Sequence, residues 1–268
     1  MSAHLHAVRP LIARSATQTI APSSRRGQTE HMSAESFRAH LETIRGKSLT
    51  LFAGAGLSLW HPSSLPTWSE FNQVLLEKAK ERALQARPMG TEVARALRDL
   101  KIDDVGSKAF SNQLVEILAG ESYFDMVRAL DAKRPNEAHR AVARLVRRGI
   151  VRAIITTNFD TLIERALKEE RVPYVCYARN LDYSRKKQPG CPIYKIHGSA
   201  GPEQTLIDTV GQKLRGLPSY VLARLAKLYR SHHVVVLGYS GGDLEFGADY
   251  LALRCVPTRT PASARTAH

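Results

Sequence analysis

The hydrophobic residues of this chain form two patterns, short unbroken runs and longer stretches in which apolar residues recur every three or four positions. The run Leu49–Ala53 is short and apolar without alternation, which is typical of a strand buried on both faces of a parallel sheet. Similar runs recur along the chain, and the periodic stretches between them predict helices. The predicted strands are residues 49–53, 152–155, 172–177, 192–196 and 234–237, and the predicted helices are residues 33–45, 67–86, 93–100, 107–118, 123–130, 136–148, 161–168 and 217–231.

The order of these elements predicts an α/β fold, a Rossmann-like parallel sheet with helices on both faces. We interpret residues 91–149, which show only helical pattern, as a helical insertion after the first strand. Thr67 and Glu70 have the spacing of a capping box, which predicts that a helix begins there. His139 lies on the last helix of the insertion, where we expect a packing or surface role.

Small and polar residues follow four of the predicted strands at the point where each strand ends. Because the ligands of open parallel sheets sit beyond the carboxyl ends of the strands, we expect these four turns to converge. Glycines after the first strand allow a tight bend and close approach to a ligand, and successive amides there can face a phosphate. The four turns are Gly54-Ala55-Gly56-Leu57-Ser58, Thr156-Thr157-Asn158-Phe159-Asp160, Lys195-Ile196-His197-Gly198-Ser199 and Gly238-Tyr239-Ser240-Gly241-Gly242-Asp243.

Each turn also has a purely structural interpretation when it is taken alone. The glycines can form an ordinary tight turn, and Asn158 and Asp160 are residue types that cap helices. An isolated histidine at a strand end, such as His197, is usually structural. The four turns together, in this order, favour function over these alternatives.

With these four motifs the chain resembles the sirtuin family, and more narrowly the sirtuin-like NAD-cleaving domains of bacterial antiphage defence proteins. The resemblance covers about residues 33–253. It implies that NAD is bound and consumed as a substrate, with the first glycine turn at the pyrophosphate and adjacent ribose and the last turn near the adenosine half. The cofactor-binding residues that it implies are Gly54, Ala55, Gly56, Ser58, Thr157, Asp160, Gly238, Ser240 and Asp243.

The same resemblance implies that Asn158 and His197 are catalytic. Nicotinamide would leave C1′ of the ribose through an oxocarbenium-like state, with Asn158 holding the ribose and a water. His197 would accept a proton, because histidine titrates nearest to neutrality. In the defence-type relatives the acceptor is water, the products are nicotinamide and ADP-ribose, and depletion of NAD during infection stops the host cell.

Two other functions stay open. In a protein deacylase the acceptor would be acetyl-lysine, but Leu65-Pro66-Thr67-Trp68 stands where deacylases carry an acidic, aromatic and basic cluster. A non-catalytic module that binds NAD or ADP-ribose as a sensor is the other. We expect no structural zinc, because Cys176, Cys191 and Cys255 are scattered without a C-x-x-C pair.

The net charge of +14 fits nucleic-acid binding, attraction of a dinucleotide pyrophosphate, or a solvated basic surface. Nucleic acid is possible but not favoured, because the basic run at 144–152 contains no aromatic residue and the run at 179–187 contains only Tyr183. No apolar run approaches the roughly 20 residues of a membrane-spanning helix, so we expect no membrane partner. The three scattered cysteines argue against a secreted disulfide framework, so we expect a cytoplasmic protein.

The ends of the chain have a different composition from its centre. Residues 1–31 contain no apolar periodicity and predict a disordered, dispensable leader, with Met32 as a possible true start. We expect a sirtuin-like domain at residues 32–256 and a disordered tail at residues 257–268. The relatives usually continue beyond the last turn, so we expect an incomplete module that forms a homo-oligomer or works with a partner sensor protein.

Overall fold

The structure is a computed structural model, and it describes residues 34–86, 88–101, 117, 127, 128, 130, 131, 134–178, 189–200, 215–242, 251 and 252. The expected leader and tail lie outside these residues, as do most of the helices expected at 107–118 and 123–130. Asp243, Cys255 and the basic segment 179–187 also lie outside them.

The described part of the chain contains every other predicted helix and strand. Their bounds are α1 (Ala34–Thr43), β1 (Leu49–Ala53), α2 (Trp68–Ala86), α3 (Thr91–Asp99), α4 (Glu137–Arg147), β2 (Val151–Thr156), α5 (Leu162–Glu169), β3 (Tyr174–Tyr177), β4 (Cys191–Lys195), α6 (Ser219–Ser231) and β5 (His233–Leu237). A short 3₁₀ turn, Ala55–Ser58, follows β1. Strand β3 starts later than predicted, because the Val172 N–H donates to Leu167 O at the end of α5 and Pro173 has no N–H.

Five strands form one parallel sheet in the order β3-β4-β2-β1-β5. The chain leaves β1 toward β2 on one side and returns with β5 on the other, so the strand order reverses at β1. Such a reversal opens a crevice for ligands beyond the carboxyl ends of the strands. The predicted α/β, Rossmann-like fold is confirmed, and α3 and α4 lie between β1 and β2, within the predicted helical insertion at 91–149.

Helices cover both faces of the sheet, as predicted. On one face Leu51 of β1 and Ile154 of β2 pack in a cluster with residues of α4 and α5. On the other face Phe52 and Ile155, the next residue along each strand, pack with residues of α6. Because successive side chains of a strand point to opposite faces, these unbroken apolar runs bury both faces of the central strands.

Side chains fix the starts of α2 and α4. The predicted capping box of α2 is confirmed: Thr67 N–H donates to Glu70 Oε2 over 2.7 Å, and Glu70 N–H donates to Thr67 Oγ1 over 3.3 Å. Helix α4 has a capping box of the same form, in which Asn136 is the N-cap and His139 takes the place usually held by glutamate or glutamine.

Part of the basic run on α4 is neutralised at the surface. Arg147 pairs with Glu170 over 2.8 Å, and Arg144 pairs with Glu137. These contacts favour a solvated surface over a nucleic-acid interface for this helix. None of the helices in the described segments is both long enough and apolar enough to span a bilayer.

Candidate active site

Four strand ends lie side by side at one edge of the sheet, which we call the carboxyl edge. Ala53 of β1 pairs with Thr156 of β2 on one side and with Leu237 of β5 on the other. Thr156 in turn pairs with Lys195 of β4. The structure therefore brings all four predicted turns together, since each turn begins at or just after one of these paired residues.

The turns after β1 and β5 meet through their backbones. Gly54 N–H donates to Leu237 O over 3.0 Å, and Gly56 N–H donates to Gly238 O over 2.8 Å. A Cβ at Gly54 would lie 2.6 Å from Gly238 O, and one at Gly238 would lie 2.4 Å from Leu57 N. Gly238 also has φ +64°, a conformation that favours glycine. These glycines therefore allow the two turns to touch. The backbone N–H groups of Gly54 and Gly56 already donate hydrogen bonds to Leu237 O and Gly238 O.

The turns after β1 and β2 meet through side chains, together with α4. Ser58 Oγ donates to Asp160 Oδ2 over 2.9 Å. It lies 3.2 Å from His139 Nε2 and 3.4 Å from Asn158 Nδ2. All four residues are buried. We call Ser58, His139, Asn158 and Asp160 the polar cluster.

Two hydrogen bonds hold Asn158 in a position that leaves its side-chain carbonyl oxygen without a hydrogen-bond partner among the described residues. Its backbone N–H donates to Thr156 Oγ1 over 3.0 Å, and its Nδ2 donates to Ser58 Oγ. The Oδ1 atom of Asn158 is buried, and it has no hydrogen-bond partner among the described residues. A buried carbonyl without a partner is costly, so this atom is the one that a ligand hydroxyl or a water would satisfy.

Asp160 joins the polar cluster to the start of α5. Its Oδ1 accepts the N–H of Leu162, the first residue of α5, over 3.0 Å, while Oδ2 accepts the Ser58 hydroxyl. Burial raises the pKa of Asp160, whereas the charge of Lys195 and these two hydrogen bonds act in the opposite direction. Asp160 thus links the first amide of α5 to the polar cluster.

A buried ion pair lies beneath the turn after β2. Lys195 Nζ is 2.8 Å from Glu164 Oε1 of α5, with the lysine side chain fully buried. The same ammonium donates to the backbone carbonyls of Phe159 and Asp160. Burial alone would lower the pKa of Lys195, but the Glu164 and Asp160 carboxylates outweigh it and the pKa is raised. A charged Lys195 therefore anchors the backbone that carries Asn158.

His197 lies beside the same turn. Its ring centroid is 6.2 Å from that of Phe159, which in turn is 5.8 Å from that of Trp68. Ala200 N–H donates to Phe159 O over 2.6 Å and ties the two turns together. His197 is buried, with Phe159 of the turn after β2 beside it and Trp68 at the start of α2 packed against Phe159.

Residues 152–248 match the family model of the SIR2-like domain. A sirtuin-like family is thus supported. The matched segment contains the turns after β2, β4 and β5, while the glycine turn after β1 lies before it. No curated protein matches the chain. The family points to NAD-related chemistry in general.

The remaining predicted site residues differ in exposure. Ala55 and Thr157 are half-buried, and Thr157 N–H donates to Ala53 O over 3.2 Å. Ser240 is exposed. Asp243 lies outside the described residues. Across the described ranges, no group of three or more His, Cys, Asp or Glu side chains is placed to hold a metal ion.

Three residues of the site were not predicted from the sequence, namely His139, Glu164 and Lys195. His139 was expected to pack or to lie on the surface; it is buried, and its Nε2 lies 3.2 Å from Ser58 Oγ. Lys195 carried a signal, because a lysine at the end of an apolar strand requires a partner when it is buried. Its partner Glu164 lies on α5, on a face that is otherwise apolar.

Proposed function

We propose that the protein is an NAD-consuming hydrolase that releases nicotinamide and ADP-ribose. The observation that supports this most is the buried Asn158 carbonyl, which has no partner among the described residues and lies at the carboxyl edge of the sheet, within the segment that matches the SIR2-like model. Its amide nitrogen is already held by Ser58. A ribose hydroxyl, or a water placed against C1′, has the donor that this carbonyl lacks.

The reaction divides between the leaving group and the acceptor. The bond between C1′ and the nicotinamide nitrogen breaks with its electron pair going to nicotinamide, which leaves as a neutral molecule. Water then bonds to C1′ of the oxocarbenium-like ribose and gives up a proton. In this proposal Asn158 holds the ribose and the water, and His197 accepts the proton from water or a ribose hydroxyl.

The proposal assigns binding of the dinucleotide to the other turns. The first glycine turn, with Ala55 between the two engaged glycine amides, lies along the pyrophosphate and adjacent ribose. Gly238 and Ser240 form the wall near the adenosine half. Asp160 supports the turn that carries Asn158, and Thr157 and Asp243 are the other residues that the resemblance assigns to cofactor binding. The positive net charge of the chain favours a dinucleotide substrate.

The biological role that we propose is that of an effector in an antiphage abortive-infection system, acting in the cytoplasm. It rests on the resemblance to defence-type sirtuin-like domains, with a homo-oligomer or a partner sensor protein supplying control. Expression of the protein in a host that is then infected should lower cellular NAD. Unchanged NAD during infection by a range of phages would contradict this role without affecting the enzymatic proposal.

The enzymatic proposal is tested by measuring nicotinamide and ADP-ribose release by purified protein. Asn158→Ala should reduce release to background, and His197→Ala should reduce it about 10²–10⁴-fold. A deacylase would require acetyl-lysine peptide for turnover, and His197→Ala would then spare nicotinamide exchange. A sensor module would bind NAD without releasing nicotinamide.

A control variant separates catalysis from stability. Thr50 is buried on β1, near the end of the sheet opposite to Asn158. Its Oγ1 lies 2.8 Å from His232 Nδ1. Thr50→Val removes a buried hydrogen bond without touching the carboxyl edge, so it should lower thermal stability and keep the parent rate. A folded Asn158→Ala protein that cleaves NAD at the parent rate would refute the catalytic assignment.

A further inference from the structure

We propose that His139 is a positioning residue that orients the Asn158 amide through Ser58, an inference that rests on the proposed function. His139 belongs to the helical insertion, 81 residues from Ser58 in the chain. It is fully buried and lies on none of the four turns. The hydrogen bonds of the polar cluster determine which atom carries each proton, and this arrangement gives His139 its role.

The capping box of α4 sets the tautomer of His139. Asn136 N–H donates to His139 Nδ1 over 3.2 Å, so Nδ1 carries no proton. His139 N–H donates in return to Asn136 Oδ1 over 3.1 Å, which fixes the ring at the start of the helix. Burial lowers the pKa of His139 to about 4, so the ring is neutral near pH 7. The proton of the neutral ring is therefore on Nε2, which faces Ser58 Oγ.

Ser58 Oγ is then fully engaged. Its single proton goes to Asp160 Oδ2 over 2.9 Å. One lone pair accepts His139 Nε2–H over 3.2 Å, and the other accepts Asn158 Nδ2–H over 3.4 Å. Since the hydroxyl has no second proton to donate, the Asn158 carbonyl gains nothing by turning toward it. The amide stays with Nδ2 on Ser58 and with Oδ1 available for a ligand.

The backbone contacts of the same helix support this assignment. Asn136 Nδ2 donates to Leu57 O over 2.9 Å and to Trp60 O over 3.3 Å. The first turn of α4 thus holds the glycine turn through Leu57 and Ser58 at the same time. A histidine that only capped the helix would need Nδ1 alone, and its Nε2–H on Ser58 is the contact that capping does not explain.

The test is a double-mutant cycle between His139→Leu and Ser58→Ala, read by nicotinamide release. If His139 acts through Ser58, His139→Leu lowers kcat about 10-fold with an unchanged KM, which is the scale of one hydrogen bond. In the Ser58→Ala background it should cause no further loss. An equal loss in both backgrounds, or a rise in KM alone, would overturn the proposal.

His139→Gln tests the same contact without removing the cap. The oxygen and nitrogen of the glutamine amide can replace Nδ1 as acceptor and Nε2 as donor, so kcat should return to within about 3-fold of the parent. Val142→Ala on the same buried face of α4 is the stability control, and it should lower thermal stability while leaving kcat unchanged. Failure of His139→Gln to restore kcat in a folded protein would count against the proposal.

A readout without catalysis distinguishes this proposal from the proposed function. In ¹⁵N-asparagine-labelled protein, the side-chain amide signal of Asn158 is assigned by its loss in Asn158→Ala. His139→Leu should shift or broaden that signal, and Val142→Ala should not. A wild-type protein that releases no nicotinamide but shows this pattern would refute the enzymatic proposal and keep the positioning role. An unmoved signal in His139→Leu would refute the positioning role whatever the activity.

Discussion

At the carboxyl edge of the sheet, the turns after β1 and β5 meet through their backbones, whereas the turn after β2 is held by buried side chains. The turns after β1 and β5 lie so close together that a Cβ on Gly54, Gly56 or Gly238 would clash with the facing turn. Around Asn158, by contrast, Ser58, Asp160 and Lys195 fix the chain with hydrogen bonds and a buried charge. The turns after β1 and β5 form one half of the edge, the glycine half, where the backbones touch because the glycines have no side chains. The turn after β2 forms the other half, the polar half, where buried side chains hold the chain by hydrogen bonds.

This difference assigns different tasks to the two halves. Backbone contact between glycine turns gives a firm surface along which a dinucleotide can lie, but it offers few groups that can do chemistry. The side-chain half orients an amide whose carbonyl is left without a described partner. We therefore expect substitutions in the glycine half to change stability or affinity, and substitutions in the polar half to change catalysis or the anchoring beneath it.

The largest effect on stability should come from Lys195→Met in the polar half. The change leaves Glu164 buried without its cation and removes a donor from two backbone carbonyls. Loss of one partner of a buried ion pair costs about 3–5 kcal/mol of the free energy of unfolding. Urea denaturation followed by circular dichroism measures this loss.

A second variant shows whether the cost comes from the uncompensated charge. Adding Glu164→Gln to Lys195→Met removes that charge and should recover part of the stability. NAD cleavage should stay low in both proteins, because Lys195 also holds the carbonyls next to Asn158. A double variant as unstable as Lys195→Met would mean that the lost carbonyl contacts, and not the charge, dominate.

Gly238→Ala should have the next largest effect, in the glycine half. A Cβ there would lie 2.4 Å from Leu57 N, on a residue with φ +64°. Strain and overpacking together should cost about 2–4 kcal/mol. Gly216→Ala is the matched control, because Gly216 has φ +71° but open space around its Cα. If the two variants lose equal stability in urea denaturation, the contact between the turns is not what requires glycine.

The sheet and its carboxyl edge could be predicted from the sequence because both depend on local patterns. An unbroken apolar run such as Leu49–Ala53 indicates burial on both faces, and parallel strands place the ends of such runs at one edge. The convergence of the turns carrying Gly54, Asn158, His197 and Gly238 then followed from the parallel arrangement of the strands.

The side-chain contacts that join one turn to another element could not be predicted, because they connect residues that are far apart in the chain. Ser58 meets His139 across 81 residues, and Lys195 meets Glu164 across 31. The glycines illustrate the same limit. Their pattern predicted a close approach of backbone to ligand, and the structure shows that Gly54 and Gly56 approach the turn after β5. The glycine pattern indicated that another group packs closely against this turn, but it did not show that this group is the backbone of the turn after β5.

The smallest effect should come from Ser240→Ala, which tests whether the glycine half binds without taking part in chemistry. Ser240 is exposed in the turn after β5, where the proposal places the adenosine half of NAD. Loss of one neutral hydrogen bond, about 0.5–1.5 kcal/mol, should raise KM for NAD about 2–10-fold and leave kcat unchanged. Ser231→Ala, an exposed serine at the end of α6 beside the start of β5, is the control and should change neither constant. A fall in kcat with KM unchanged would place Ser240 among the groups that act in the transition state, and the division between a binding half and a catalytic half would then fail.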